Sequence, residues 1–377
     1  MALRLHGLEP VSEGRCKIER TLQKQKAILL KKELAMSPNA FSLPSDGALA
    51  ALLQPQDSAL TPIDGLQRLR DAGLDQLPLP GHGATLRRWQ MLTAIAAIDL
   101  SLLKLYESHT DALAILAELD GSCVPAGGSW GVWCADLPDA RVRLRQTADG
   151  RHVLDGRKAW CAGAQGLSHA LISCWNDAHQ ACLAWVALSQ PGVRVTDEGW
   201  QAVGMRACAS VDVTFSAARA FPVGAPNAYL ERPGYWHGGA GIAAAWYGAA
   251  CAIASHLHAR AQHAAPDPVR LAQLGQIDCA LRAAGALLRE GAAEIDAHPQ
   301  RDAMALALRL RLAVEDAATL VLHLATRALG AGPLCSDTHF ARLAADLPVF
   351  LRQSHAERDQ AVLGGIVAGA EEHPWTL

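Results

Sequence analysis

Lysine almost vanishes from this chain after residue 32. Five of its seven lysines (17, 24, 26, 31 and 32) precede that point, and the rest of the 377 residues takes its positive charge almost wholly from arginine and histidine. This break sets residues 1–35 apart, either as a basic interaction tail or as a product of start-site choice, since MSPNAFSLPSDGALAALL from Met36 reads as a natural start. Cysteine pairs are missing too: ten cysteines lie scattered with no C-x-x-C, which favours reduced, mostly buried thiols over disulfides. No apolar run of about 18 residues is evident, so no membrane span is expected. The N-terminus lacks the apolar stretch of a secretory signal. Net charge is −3 with no basic stripe, which argues against nucleic acid and anionic membrane as partners. Metal-ligand spacing is absent: on a helix His256 and His258 of SHLHARAQH point about 200° apart, and no nearby acid completes a set with His263. What remains is a chain half hydrophobic, able to bury a large core, and expected to be soluble and cytoplasmic.

Three stretches of different periodicity follow one another. From 46 to about 120 the pattern is helical. Ser45-Asp46 caps DGALAALLQ, TPIDGLQRLRDAG has a proline in its first turn, and TLRRWQMLTAIAAIDLSLLKLYESHTDALAILAEL is one long run ended by Gly121. From 127 to 222 there are six short alternating runs: RVRLRQT, RHVLDGRKAW, ALISCW, ACLAWVAL, GVRVTD and VDVTFSAARAF. They predict a small barrel or sandwich, with Asp149-Gly150 as the tight turn of a hairpin between the first two. After 236 come three long helical runs and a fourth over 338–363, the pattern of a four-helix bundle. The expected fold is α+β and multi-domain, with a helical domain over 36–122, a β domain over 123–233 and a helical bundle over 234–377.

Four motifs occur in order: LDGRKAWCAGA (154–164), GWQAVGMRACASVDVTF (199–215), RPGYWHGGAGIAA (232–244) and ALGAGPLCSDTHFARLAADLPVF (328–350). Through them the chain, over residues 46–365, resembles the acyl-CoA dehydrogenase family of flavoproteins. The resemblance implies an N-terminal helical domain, a middle β-barrel and a C-terminal four-helix bundle that together enclose FAD. Gly156-Arg157-Lys158-Ala159-Trp160 matches the family's glycine-x-lysine-x-tryptophan hairpin, which implies that Trp160 lies against the flavin ring. A stacked indole excludes water and contributes about 0.5–1.5 kcal/mol beyond area burial. Barrel core is the alternative for an aromatic ending a strand. Lys158 is expected to fix its loop by pairing with a carboxylate or a carbonyl.

Cys161 and Ala162 stand where the family has a hydroxyl side chain, which leaves their backbone N–H groups as donors. WGVWCADLPDARVRL (130–144) corresponds to the family's glycine-rich flavin loop without its glycines, so Trp133, Cys134 and Ala135 are the expected flavin contacts there. Leu329-Gly330-Ala331-Gly332 keeps two of the three glycines of a turn that grips the FAD pyrophosphate, often across a subunit boundary. A helix-ending glycine is the equal alternative for Gly330. A homo-oligomer, dimer or tetramer, is implied.

The family's dehydrogenases use a glutamate to remove a proton α to a thioester carbonyl while a hydride leaves for the flavin. Counting from the Ala345-Asp346 step, Ser354 occupies that position, and GGAGIAAAWYG on the first bundle helix offers no acid either. The candidate catalytic residues are therefore His237, Ser354 and His355. His237 lies between bulky aromatics and a glycine pair, where its pKa can cross neutrality. The leading expectation is an FAD-dependent oxidoreductase acting on the CH–CH group of an acyl thioester such as acyl-CoA. The alternatives are a flavin monooxygenase on the same scaffold, which needs no glutamate, and a non-catalytic relative acting as a binding or structural module.

Overall fold

A computed structural model describes residues 42–54, 60–119, 124–125, 127–370 and 375. The leader 1–35, Met36, Gly121, Cys16 and Cys123 lie outside the described residues. Helix α1 (Asp46–Leu52) begins where the Ser45 hydroxyl accepts from Ala48 N at 3.2 Å. Helix α2 (Pro62–Asp71) begins on a capping box between Thr61 and Asp64, with Pro62 in its first turn. The long third run is not one helix. Helix α3 (Thr85–Ile98) stops at Asp99, whose extended backbone (φ −158°, ψ 118°) lets its carboxylate cap α4 (Leu100–Glu118) by accepting from Leu102 N at 2.8 Å. A capping aspartate interrupts the helix although the apolar pattern runs through it.

Seven strands follow: β1 (Trp130–Trp133), β2 (Val142–Gln146), β3 (His152–Cys161), β4 (His169–Trp175), β5 (Ala181–Ala187), β6 (Val193–Val195) and β7 (Val211–Pro222). Antiparallel pairs β2–β3, β3–β7, β7–β5 and β5–β4 form a chain that one parallel contact, Arg143 with Trp175, closes through β4–β2. The result is a barrel and not a sandwich. The predicted hairpin is present, with Gly150 at φ +81°. Strand β1, parallel to β4, is outside the six alternating runs, because Trp130, Gly131 and Trp133 are all buried and the segment does not alternate.

A short α5 (Ala228–Glu231) leads into α6 (Gly234–His263), α7 (Pro268–Ala297) and α8 (Met304–Leu329). After α9 (Ala331–Ser336), the fourth bundle position is shared by α10 (Thr338–Leu351) and α11 (Glu357–Ala368), with a break where a single helix is expected. Helix α6 packs against α3, α7, α8 and α10. Gly248 permits its approach to α3, since a Cβ there would stand 2.3 Å from the Thr93 carbonyl oxygen. Contrary to the sequence expectation, a window of α6 is long and apolar enough to cross a membrane, with mean hydropathy 1.3. As 78% of that window is buried inside the protein, its apolar surface serves the core. Among the described residues the larger of two apolar clusters runs from Leu49 to Leu351 through helices and barrel alike, and a smaller one packs α4 against β1, β4 and β5 around Trp130 and Trp185. Eight cysteines among the described residues are all unpaired.

Candidate active site

The loop after β6 joins barrel to bundle. Met205 N donates to the buried Asp346 carboxylate at 2.5 Å, and Gly204 lies so close to α10 that a Cβ would stand 2.1 Å from the Ala345 carbonyl oxygen. Two of the four motifs thus meet in space. At the barrel end that faces the helices, β3 slips register against β7 between Lys158 and Cys161, and Trp160 takes a left-handed backbone, φ +58°. Such a conformation costs a non-glycine residue on the order of 1–3 kcal/mol. The bulge turns the indole outward, 48% exposed between buried Ala159 and Cys161. That excludes the barrel-core reading of Trp160. A flat apolar face is instead held out on a strained backbone, which suits a flat ring system lying against it.

Trp133 has a different place. It is buried, and its Nε1–H donates to the Ala162 carbonyl at 3.1 Å, tying β1 to the turn after β3. Ala162 N–H donates to the Trp160 carbonyl at 3.1 Å, so this backbone donor is already engaged within the turn. Lys158 behaves as its motif implies: its buried Nζ donates to the Ser173 carbonyl at 3.0 Å and the Ser173 hydroxyl at 2.7 Å. Burial lowers its pKa. Cys134, partly exposed beside Lys158, has its thiol pushed up by burial, against the pull of Lys158 and a hydrogen bond with Tyr229. Ala135 is exposed. Trp133, Cys134, Trp160, Cys161 and Ala162 therefore share one rim of the barrel. Gly330, at φ +71°, and Gly332 are exposed at the start of α9, and a Cβ on either would meet nothing within 4 Å.

The three catalytic candidates face different surroundings. His237 is buried against the 78–85 loop: a Cβ on Gly81 would stand 3.4 Å from its Cε1. Its Nε2 has no hydrogen-bond partner among the described residues, and burial lowers its pKa. Ser354 is buried in the break between α10 and α11, where its hydroxyl accepts from Ala356 N at 3.1 Å. His355 points away, exposed, with Nδ1 3.5 Å from Asp359 Oδ1. Two α8 residues one turn apart hold this break. Arg311 donates to the carbonyls of Gln353 and of Gly239 on α6, and Glu315 pairs with Arg352.

A polar stripe on α4 is the feature that motif reading passes over. Lys104, Glu107 and Asp111 follow one another at i, i+3 and i+7 along α4, so they share a face. Lys104 Nζ pairs with Glu107 Oε2 at 2.9 Å, and each side chain keeps some exposure deep in the molecule. Asp111 lies against α6, its Oδ1 3.1 Å from where a Cβ on Gly238 would stand. Among the described residues no hydrogen bond reaches its carboxylate, and burial raises its pKa although Arg232, Arg88 and Lys104 oppose the shift. Arg232 in turn pairs with Glu118 at 2.6 Å. The signal was present in KLYESHTD, as polar residues at helical spacing inside an alanine- and leucine-rich run.

No family model matches the chain. It is 31% identical over 192 residues to a dibenzothiophene monooxygenase of Rhodococcus erythropolis, a match covering 43% of this chain and 45% of that protein. The match thus spans less than half the length of this curated relative. Solved structures extend the likeness to nearly the whole chain. A dibenzothiophene monooxygenase from a Paenibacillus species, in complex with FMN and indole, superposes with TM-score 0.71 at 19% identity, over 93% of this chain and 98% of that one. A nitrososynthase from Micromonospora carbonacea var. africana superposes with TM-score 0.71 at 18% identity, over 89% and 100%. At these identities the likeness is one of fold. The chain therefore has the acyl-CoA dehydrogenase fold that its motifs resemble.

Proposed function

We propose that this protein is a flavin-dependent monooxygenase, the alternative of the sequence reading, and not a dehydrogenase of acyl thioesters. The observation that carries the proposal is the turn at Ser354. Ser354, which the count from Ala345-Asp346 assigns to the dehydrogenase glutamate, is a buried hydroxyl engaged with the backbone of its own turn. The full-length fold likeness to FMN-binding monooxygenases supports the same reading, and FMN rather than FAD is the cofactor we infer. The Gly330–Gly332 turn, which keeps two of three glycines, is then not required to grip a pyrophosphate in the same subunit. We further propose a small-molecule substrate, a cytoplasmic setting and a homo-oligomer. The last is supported by an apolar groove of about 300 Å³ on α7 and α8, lined by Ala280, Ala284, Leu287 and Leu320.

Trp160, held out on its left-handed turn, would lie against a bound flavin and keep water from it. Lys158 locks β3 onto β4 and so sets the depth of that rim. A bound flavin supplies the two-electron chemistry and the activation of dioxygen. Asp111, whose carboxyl pKa is pushed up by burial, is placed to donate a hydrogen bond or move a proton beside the substrate. Arg311 keeps α6 and the Ser354 turn at fixed separation.

The deciding experiment supplies the purified protein with FMN, a flavin reductase and isotopically labelled dioxygen, using indole and dibenzothiophene as probe substrates. In parallel, the flavin-loaded protein meets acyl-CoAs without oxygen. Labelled oxygen in product is the expected result. Bleaching of the flavin by an acyl-CoA would establish the dehydrogenase instead, and failure to bind any flavin would leave a binding module.

A further inference from the structure

The polar face of α4 adjoins the rim of the barrel. Ser108 shares that face with Lys104, Glu107 and Asp111, and its hydroxyl accepts from Val132 N, in β1, at 2.7 Å. Cys134 follows Val132 by two residues and so comes close to the same face, where the charge of Asp111 acts on its thiol. Tyr229 and Tyr235, at the entry to α6, stand beside it. Their rings meet edge-on with centroids 5.4 Å apart, and Tyr229 is hydrogen-bonded to Cys134. Lys104, Glu107, Asp111, Cys134, Tyr229 and Tyr235 all stay partly exposed, although Leu103, Tyr106, Ser108 and Ala112 on the same helix are buried. The six line a recess between α4, the barrel rim and the start of α6.

The cations around the recess hydrogen-bond to other partners. Lys104 Nζ donates to Glu107 at 2.9 Å, Arg232 Nη1 to Glu118 at 2.6 Å and Arg88 Nη1 to the Pro78 carbonyl at 3.3 Å, while Arg311 holds the Gly239 and Gln353 carbonyls. Asp111 accepts no hydrogen bond among the described residues. Burial pushes its pKa up, against the fields of Arg232, Arg88 and Lys104. A ligand that brings an N–H cation satisfies this carboxylate, because a charge-assisted hydrogen bond is roughly twice as strong as a neutral one. Tyrosine ring faces within about 6 Å attract the same cation. A substrate anion would meet two carboxylates instead. We propose that the substrate carries a basic amine, bound as its ammonium ion by the Asp111 carboxylate with Tyr229 and Tyr235 beside it, so that Asp111 sets the substrate class. This rests on the monooxygenase reading for taking the recess as the substrate pocket, and adds the chemical group that the pocket recognises.

The test is calorimetric titration of the full chain, supplied with FMN, with two matched pairs of probes: tryptamine against 3-ethylindole, and benzylamine against benzyl alcohol. At neutral pH at least one amine should bind about tenfold or more tightly than its neutral counterpart. The preference should vanish in Asp111→Asn and persist in Glu290→Gln, which removes an exposed carboxylate on α7. Equal affinities within both pairs, no binding of either amine, or a preference that survives in Asp111→Asn overturns the proposal. Binding is read without reductant or turnover, so the two readings fail separately. An amine preference without labelled oxygen in any product would remove the monooxygenase and keep the amine site, whereas oxygenation without an amine preference would do the reverse. Circular dichroism establishes that each variant is folded; should Asp111→Asn fail to fold, Asp111→Ser, smaller and equally uncharged, decides in its place.

Discussion

Arg311 on α8 donates to the Gly239 carbonyl at 3.1 Å and to the Gln353 carbonyl at 2.7 Å, while its guanidinium lies 4.9 Å from the centre of the Trp246 ring. One buried side chain thus joins the helix carrying His237 to the turn carrying Ser354. Replacing it by methionine keeps much of the packing and removes both hydrogen bonds. Arg311→Met should lose about 1–3 kcal/mol for each carbonyl left unpaired. Urea unfolding measures the loss; a variant with an unchanged midpoint would show that the staple is dispensable.

Trp160 makes the opposite prediction. Its indole is 48% exposed, so Trp160→Ala should change stability by no more than about 0.5 kcal/mol. Flavin affinity should fall about 2- to 12-fold, the equivalent of one lost ring contact of 0.5–1.5 kcal/mol. Quenching of flavin fluorescence on titration gives the ratio. Trp160→Gly should lose the same affinity while gaining stability, because φ +58° suits glycine.

His237 predicts a pH dependence. Burial lowers its folded pKa, whereas in the unfolded chain the ring titrates near about 6.5. Below that value the unfolded chain binds a proton that the folded protein refuses. The stability it contributes is complete above the unfolded pKa and is lost as pH falls towards the lowered folded one. Urea midpoints of the wild type should therefore drop more steeply on mild acidification than those of His237→Gln. Parallel curves would remove His237 as the cause.

Asp111 carries the reverse sign. Its folded pKa is raised by burial, so its ionised form is disfavoured in the folded protein. Its contribution to stability declines as pH rises past the ordinary carboxylate range. Asp111→Asn, which cannot ionise, should be at least as stable as the wild type at neutral pH. Its turnover of an oxygenated probe substrate should fall about tenfold or more if the carboxyl moves a proton. A variant that is both less stable and fully active would mark Asp111 as structural.

Much of the architecture is legible because it is local. Ser45, Thr61 and Pro62 mark helix starts, Asp149-Gly150 marks the hairpin, and alternation marks the strands around it. The breaks are harder to see. Asp99 and the turn at 352–356 interrupt runs whose apolar periodicity continues across them, because caps and tertiary contacts outweigh the pattern. Strand β1 escapes notice because its residues are buried on both faces. The α4 stripe could have been found, since Lys104, Glu107 and Asp111 keep helical spacing.

The order of helices, strands and helices, the motif around Trp160 and the serine at position 354 are properties of the sequence alone, set by residue type and spacing. Whether Trp160 is core or surface was decided by a bulge in β3, and that bulge depends on pairing with β7, more than fifty residues on. The orphaned Nε2 of His237 and the raised pKa of Asp111 likewise follow from what packs against them, as does the meeting of His256 with His339 across 83 residues. Spacing along a chain controls which side chains share a face. Only the packing of those faces determines which polar atoms are left facing one another without water.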